Sequence, residues 1–163
     1  MTPDVQTIAK DRMRYTKDKF SSTLAILAIV FDCLFFVSIY QSDVGTFYYN
    51  WLIGVSIVYN LIFLLAAFLA SESVKNRKTG YSGILILLGV IQIVRVFILP
   101  MQAHAATVQV SGVDTVVMGD QQFIYCVACL IASAVCCVVA AVVSAKNNKI
   151  LADYMKTIET KAA

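Results

Sequence analysis

The chain has 163 residues, of which 60% are hydrophobic and 14% are charged, and its formal net charge is +3. This composition excludes an ordinary soluble domain, in which about a quarter of the residues are charged. It gives no reason to expect a nucleic-acid partner, because a small basic excess also arises from membrane topology.

Four apolar runs divide the chain. They cover about residues 21–40, 51–70, 81–101 and 123–144. Each is long enough to cross the roughly 30 Å hydrocarbon core of a bilayer as a helix. Continuous apolar runs favour helices over barrel strands, in which polarity alternates. We therefore predict an all-α integral membrane protein in which residues 21–144 form a four-transmembrane-helix bundle.

Lysine and arginine are concentrated in alternate connections. Twelve of the 13 lie before the first run, between the second and third runs, or after the fourth. The other two connections, 41–50 and 102–122, hold three aspartates and no lysine or arginine. Because cytoplasmic loops carry the basic excess, we predict that both termini face the cytoplasm, N-in and C-in. The same basic residues are expected to attract anionic lipids at the cytoplasmic face.

Residues 1–20 form a basic arm before the first run. Thr2, Pro3 and Asp4 are typical of a helix start. They precede an apolar stripe at helical spacing, which consists of Val5, Ile8, Ala9 and Met13. The pattern predicts an amphipathic helix that lies in the membrane interface, and a docking surface for another protein would have the same pattern.

The tail, residues 145–163, continues the helical periodicity after the fourth run. Its apolar residues recur at helical spacing and are Ile150, Leu151, Tyr154, Met155 and Ile158. We predict that the tail is a cytoplasmic extension of the fourth transmembrane helix. An apolar stripe of this kind packs on the N-terminal arm or binds a helix of a partner.

Four polar side chains interrupt the first three runs at similar depth. At about 1.5 Å per residue, Asp32 and Gln92 lie roughly 16 Å from the inner boundary, and Arg95 lies about one turn further out. Asn60 reaches a similar depth from the other side. An isolated charge at this depth costs roughly 2.5 to 3.5 kcal/mol. We therefore expect Asp32 and Arg95 to pair inside the bundle, with Asn60 and Gln92 as hydrogen-bonding partners.

This intramembrane polar layer has two interpretations. A buried ion pair can fix the register of two helices and have no further role. Alternatively, Asp32 loads and releases a proton or a cation, and Arg95 is its countercharge or holds an anionic substrate. One acidic and one basic group do not distinguish the two.

The fourth run carries two adjacent rows of small residues. The predicted helix-packing face consists of Ala128, Cys129, Ala132, Ser133, Cys136, Cys137, Ala140, Ala141 and Ser144. Small residues let a second helix approach closely, which matters where lipid supplies no hydrophobic drive for association. The opposite face, which includes Leu130, Ile131 and Val135, is expected to meet lipid. We expect this packing within the bundle, or alternatively in a homo-oligomer or against another membrane protein.

The sequence carries no motif for catalysis or metal binding. Cys126 and Cys129 have C-x-x-C spacing, but they lie in a predicted span and lack the second ligand pair of a structural zinc site. His104 has no cysteine or acidic neighbour at ligand spacing. Phosphate-binding glycine loops and the metalloprotease and hydrolase motifs are likewise not found. We predict no metal, no cofactor and no enzymatic activity.

Two functions from different classes remain. We favour a noncatalytic accessory or assembly subunit of a membrane complex, because the chain has amphipathic ends and a small-residue surface but no reaction motif. The alternative is a small transporter or channel component that uses the polar layer. In either case we expect a multi-pass protein of a plasma membrane. Compact loops favour a bacterial cytoplasmic membrane, with an organelle as the alternative.

Overall fold

The structure is a computed structural model that describes residues 5–40, 51–110 and 113–162. Predictions that rest on the helix start at residues 2–4 or on the connection 41–50 lie outside these residues. The elements in chain order are α1 Val5–Met13, α2 Lys19–Tyr40, α3 Trp51–Lys75, α4 Tyr81–Ile98, α5 Pro100–Ala105, β1 Thr107–Val110, β2 Val113–Val116 and α6 Asp120–Ala162.

The described part of the chain contains four helical segments long and apolar enough to cross a membrane. They are α2, α3, α4 together with α5, and α6. The outward faces of these helices are apolar: Leu61, Ile62 and Leu65 of α3 are each more than 60% exposed. An apolar surface of this extent is typical of contact with lipid. The fold is therefore that of a multi-pass membrane protein.

The spanning helices form a four-sided arrangement. Helix α2 packs against α3 and α6, and α4 packs against the same two helices. Helices α2 and α4 therefore face each other across the centre of the bundle. Buried apolar residues form separate groups along the bundle axis, such as Ala25, Val74 and Leu85 towards one end and Phe35, Ile39 and Leu130 towards the other.

The third predicted span, 81–101, is divided near its end. Helix α4 stops at Ile98, and Pro100 begins the six-residue helix α5. Proline has no backbone N–H and its ring obstructs the preceding turn, so it is favoured at the first position of a new helix. Leu99 lies at the junction, where its N–H donates to the Arg95 carbonyl at 3.2 Å.

A short β-hairpin follows α5, in a segment where β-prone residues on both sides of the turn signal Ser111 and Gly112 favour one. Strands β1 and β2 pair antiparallel, with Thr107 opposite Val116 and Val110 opposite Val113. β-branched residues such as these pack well on a pleated surface, which favours a strand over a helix at this position. The hairpin connects α5 to α6 at the end of the bundle opposite the first turn of α2.

Helix α6 runs well beyond the predicted span 123–144. It has 43 residues, which corresponds to a length of about 65 Å. Neither glycine nor proline occurs between Asp120 and Ala162, so no residue in this segment favours a helix end or a kink. The membrane-embedded part and the extension are therefore one continuous helix.

Candidate functional site: a polar layer across the bundle

An ion pair crosses the centre of the bundle. Arg95 Nη1 of α4 donates to Asp32 Oδ1 of α2 at 2.8 Å. Asp32 is 1% exposed and Arg95 is 5% exposed. Because α2 and α4 lie on opposite sides of the bundle, the pair closes the space between them.

Two amide side chains form hydrogen bonds with the charged pair. Gln92 Nε2 also donates to Asp32 Oδ1, at 2.8 Å, so one carboxylate oxygen accepts two hydrogen bonds. Arg95 Nη2 donates to Asn60 Oδ1 of α3. Gln92 and Arg95 lie three residues apart and therefore share one face of α4. The structure thus brings all four residues of the predicted layer into one hydrogen-bonded network.

Helix α6 adds a fifth polar residue to the layer, Ser133. Its hydroxyl donates to the Ala28 carbonyl at 2.9 Å and accepts from Gln92 Nε2 at 3.4 Å. From the sequence, Ser133 is predicted only as a member of the packing face. The signal for its second role was available, because Ser133 lies eleven residues before Ser144, or roughly 16 Å from the inner boundary. Each spanning helix therefore contributes to the polar layer.

Two aromatic rings enclose the guanidinium of Arg95. Its Cζ atom lies 4.6 Å from the ring centroid of Phe35 and 4.6 Å from that of Tyr59. Contacts between a cation and the face of a ring are attractive, and more so where water is excluded. Phe35 lies one helical turn from Asp32, and Tyr59 directly precedes Asn60. Sequence reasoning missed both rings because aromatic residues are common throughout these spans.

Three buried polar atoms of the layer have no hydrogen-bond partner among the described residues. They are Tyr59 Oη, Asn60 Nδ2 and Gln92 Oε1. The orientation of each amide follows from its bonds, because Asn60 accepts from Arg95 and Gln92 donates to Asp32. Buried polar groups in native proteins are nearly always satisfied by protein or ordered water. The layer therefore retains the capacity to bind water or a small polar ligand.

The predicted packing face of α6 is rotated in the structure. Six of its members are buried, namely Cys129, Ser133, Cys137, Ala140, Ala141 and Ser144. Ala128 is exposed, and Ala132 and Cys136 are half-buried. Leu130, which was expected to meet lipid, is 0% exposed and packs in the same apolar group as Phe35 and Ile39. The face that enters the bundle is set by its fit to α2 and α4, and a large leucine fills that space better than Ala128.

A second polar cluster lies where α2 begins and α3 ends. It was not predicted from the sequence. We call this end of the bundle the basic end, because it adjoins the basic segments. Asp18 caps α2 by accepting from Ser21 N at 3.2 Å, and its own N–H donates to the Lys75 carbonyl at 3.0 Å. Asn147 Nδ2 of α6 donates to Asp18 Oδ2 at 3.0 Å. One aspartate thus links three helices. The position of Asp18 just before a long apolar run indicates a helix N-cap in the sequence.

The first turns of α2 also contact α3 through hydroxyl groups. Ser22 Oγ and Ser71 Oγ lie 2.9 Å apart, and Ser71 Oγ also donates to the Ser22 carbonyl at 3.1 Å. Both side chains are buried. Serine is small enough for two helices to approach closely while the hydroxyls bond across the interface. These contacts hold the basic end of the bundle closed.

His104 lies at the opposite end of the bundle, at the end of α5. Its Nδ1 is 3.1 Å from the Met118 carbonyl, and its ring stacks on Phe123 with centroids 4.5 Å apart. Within residues 5–40, 51–110 and 113–162, no three His, Cys, Asp or Glu side chains are grouped so that they could hold a metal ion. The contacts of His104 join α5 to the segment between β2 and α6 and to the first turn of α6.

Comparison with known proteins identifies no relative. The chain matches no protein-family model, no curated protein and no solved structure. A four-helix architecture hosts many functions and does not select one. Function must therefore be inferred from the polar layer, the basic end and the extension of α6.

Proposed function

We propose that this chain is a noncatalytic accessory or assembly subunit of a membrane complex. In this proposal both termini face the cytoplasm of a plasma membrane, as the distribution of lysine and arginine favours. The spanning helices anchor the protein, and the extension of α6 carries the partner-binding surface. The single observation that supports the proposal most strongly is the continuity of α6 from the bundle into the extension.

The extension has the properties of a binding element. Residues 145–162 extend about 27 Å beyond Ser144 if helical rise is uniform. Its apolar stripe is half-buried along its length and consists of Ile150, Leu151, Tyr154, Met155 and Ile158. Helix α1 also contacts α6. A helix with one apolar face is a common binding partner for a groove or for a second helix.

The polar layer fits a structural role in the same proposal. Asp32, Arg95, Gln92, Asn60 and Ser133 come from four helices, and each bond between them depends on the relative depth of those helices. A shift of one helix by a single turn, about 5.4 Å, would break these bonds. The layer therefore supports a rigid anchor whose helices have one register.

Site-specific photocrosslinking in native membranes tests the proposal. A photoreactive amino acid placed at Tyr154 or Ile158, on the apolar stripe, is expected to give one reproducible adduct. The same group at Asp153 or Lys156, which are exposed, is the matched control and should give little. An adduct of twice the chain mass would identify a homo-oligomer, and any other mass would identify a different partner. Equal labelling of both faces, or no adduct, would contradict the proposal.

A second candidate function is a small transporter or channel component. It is favoured by the unused hydrogen-bonding capacity of Tyr59, Asn60 and Gln92 beside a buried acid. Intramembrane ionisable groups that face a bundle interior commonly mark ion or substrate pathways. In this candidate, Asp32 exchanges a proton or cation while Arg95 remains its countercharge.

Flux measurements distinguish this second candidate from the accessory role. Purified protein in liposomes, with an imposed proton or sodium gradient, would give a flux that Asp32→Asn abolishes. Asp153→Asn, an equivalent change on the exposed side of the extension, would leave the flux unchanged. Rates equal to those of protein-free liposomes for all variants would remove the candidate and leave the accessory role.

A further inference from the structure

A groove runs along one side of α1 at the basic end. It is lined by Ile8, Ala9, Arg12, Met13 and Thr16 and has a volume of about 480 Å³. The lining is apolar along its length and carries one guanidinium, that of Arg12. Among the described residues, Arg12 makes no ion pair.

A second guanidinium, that of Arg77, is hydrogen-bonded to one residue of the groove lining. Arg77 Nε donates to the Thr16 carbonyl at 3.1 Å, and Thr16 lines the groove. Arg77 Nη1 is buried and has no hydrogen-bond partner among the described residues. A guanidinium has five N–H donors and no acceptor. The Nη1 donors of Arg77 therefore lack an acceptor among the described residues, and an anion would supply one.

The backbone holds Arg77 in this place. It has φ of 55°, the left-handed conformation that usually requires glycine at the end of a helix. Arg77 N donates to the Val74 carbonyl at 2.9 Å, and Lys78 N donates to that of Ser73 at 3.0 Å. These two bonds are the Schellman arrangement that ends α3. An arginine occupies this strained position, and its side chain reaches α1 instead of extending into solvent.

The last residue of the groove lining, Thr16, lies three residues before the first spanning helix. The first spanning helix begins at Lys19, and Asp18 joins it to the end of α3. Two large side chains beside this boundary remain outward, Tyr15 at 78% and Phe20 at 62% exposure. Aromatic residues are enriched at membrane interfaces because one ring serves both apolar and polar surroundings. Ile8 is also exposed, at 52%.

We propose that this groove binds the phosphate of an anionic phospholipid. Arg12 and Arg77 bind the headgroup, while Ile8 and Met13 contact the acyl chains. The inference rests on the membrane embedding of the bundle and does not depend on the accessory role. The count of basic residues predicts that the whole basic surface attracts anionic lipid, whereas this proposal assigns lipid binding to two arginines.

A lipid fits the groove better than an acidic peptide or inorganic phosphate. Peptide and phosphate would use the two arginines but would leave the apolar lining in water. A phospholipid satisfies both, because its charged headgroup adjoins apolar chains, as Arg12 adjoins Ile8 one turn away on α1. The surrounding basic residues, including Lys10 and Lys17, raise the local concentration of any anionic lipid.

Native mass spectrometry of the full chain tests the proposal. The protein is reconstituted in nanodiscs of equimolar phosphatidylglycerol and phosphatidylcholine, and the lipids that remain bound after release are counted. We expect one phosphatidylglycerol to be retained selectively. Arg77→Gln should lower its occupancy about fivefold, which corresponds to about 1 kcal/mol for one cation.

Matched variants separate a site from diffuse attraction. Lys78→Gln removes the same charge from the next residue, which is exposed, and should leave the occupancy unchanged. Arg77→Lys keeps the charge but loses the fork of N–H donors, and should recover only part of the occupancy that Arg77→Gln loses. Because Arg77 also ends α3, circular dichroism must show that its variants fold. Arg12→Gln, whose side chain is exposed, gives an independent test that does not involve this helix end.

Three results would overturn the proposal. Equal losses in Arg77→Gln and Lys78→Gln would show diffuse attraction. No loss in Arg12→Gln would exclude the groove as the binding site. Displacement of phosphatidylglycerol by inorganic phosphate or by an acidic peptide would assign the groove to that ligand instead.

Discussion

Arg95 exchanges the hydration it would have in water for four protein contacts. It donates to Asp32 and Asn60, and its guanidinium lies within 4.6 Å of the ring centroids of Phe35 and Tyr59. Removing a charge from water is costly, and a buried pair compensates only when geometry and hydrogen bonds are both favourable. Arg95 meets this requirement through contacts with two other helices, α2 and α3.

Loss of one member of this pair is expected to lower the free energy of unfolding more than loss of both. Asp32→Leu should lower the free energy of unfolding in mixed micelles by about 3–5 kcal/mol, because Arg95 is left buried without its carboxylate. Asp32→Leu with Arg95→Met should recover most of that loss. Denaturant titration of the single and double variants measures both effects. Additive losses in the double variant would contradict the paired arrangement.

Asp18 offers a second prediction at the scale of single residues. Asp18→Ala should lower the free energy of unfolding by at least about 1 kcal/mol, because α2 loses its N-cap. Hydrogen exchange should also rise in the first turn of α2 and near Asn147. Asp11→Ala is the control, because the Asp11 carboxylate is 51% exposed and pairs with Arg14 alone among the described residues. Its effect should be within about 0.5 kcal/mol. Equal effects would argue against Asp18 as a link between helices.

At the scale of elements, α4 and α6 are in close contact at Gly89. A Cβ atom added there would lie 3.0 Å from Val138 Cγ2 and 3.2 Å from the Ala134 carbonyl oxygen. Glycine in a membrane helix permits this close contact between backbones. Gly83, on the same helix, has no neighbouring atom within 4 Å of the corresponding position. Only one of these two glycines is therefore needed for helix packing.

The two glycines give a matched comparison. Gly89→Ala should destabilise the bundle by about 1–3 kcal/mol, because the added methyl group must displace α6. Gly83→Ala should be neutral or stabilising by up to about 1 kcal/mol, because alanine favours the helix. Denaturant titration in micelles provides the measurement for both. The assigned contact between α4 and α6 would be wrong if the two variants were equally stable.

At the scale of the whole molecule, the distribution of charge predicts how the bundle is oriented. Reporter fusions after Lys78 and after Ala163 should be active on the cytoplasmic side, because the basic segments remain there. A fusion after Ala106 should be active on the opposite side. Activity of the Ala163 fusion on the same side as the Ala106 fusion would contradict N-in and C-in.

Depth along each helix could be predicted from the sequence. The rise per residue is fixed by the backbone, so counting residues was enough to assign Asp32, Asn60, Gln92 and Arg95 to one level. The same count extends to Ser133. The division of the third span at Pro100 could also be predicted, because it follows from the chemistry of proline. The predicted span 81–101 nevertheless continued through this residue.

Rotation about each helix axis could not be predicted in this way. Two rows of small residues on α6 suggested a face that includes Ala128 and excludes Leu130, but Leu130 is buried and Ala128 is exposed. A helix rotates until its ridges fit the grooves of its neighbours, so the buried face depends on α2 and α4 as much as on α6. The rings around Arg95 could not be predicted for the same reason.

The sequence alone determined the number of spanning helices, since the length of an apolar run and the thickness of a bilayer are both fixed quantities. It also determined which polar residues lie at mid-depth. Tertiary structure decided which of them touch and through which atoms. It also decided which donors of Asn60 and Arg77 have no partner among the described residues. These outcomes depend on how side chains from several helices fit together, and no single segment carries that information.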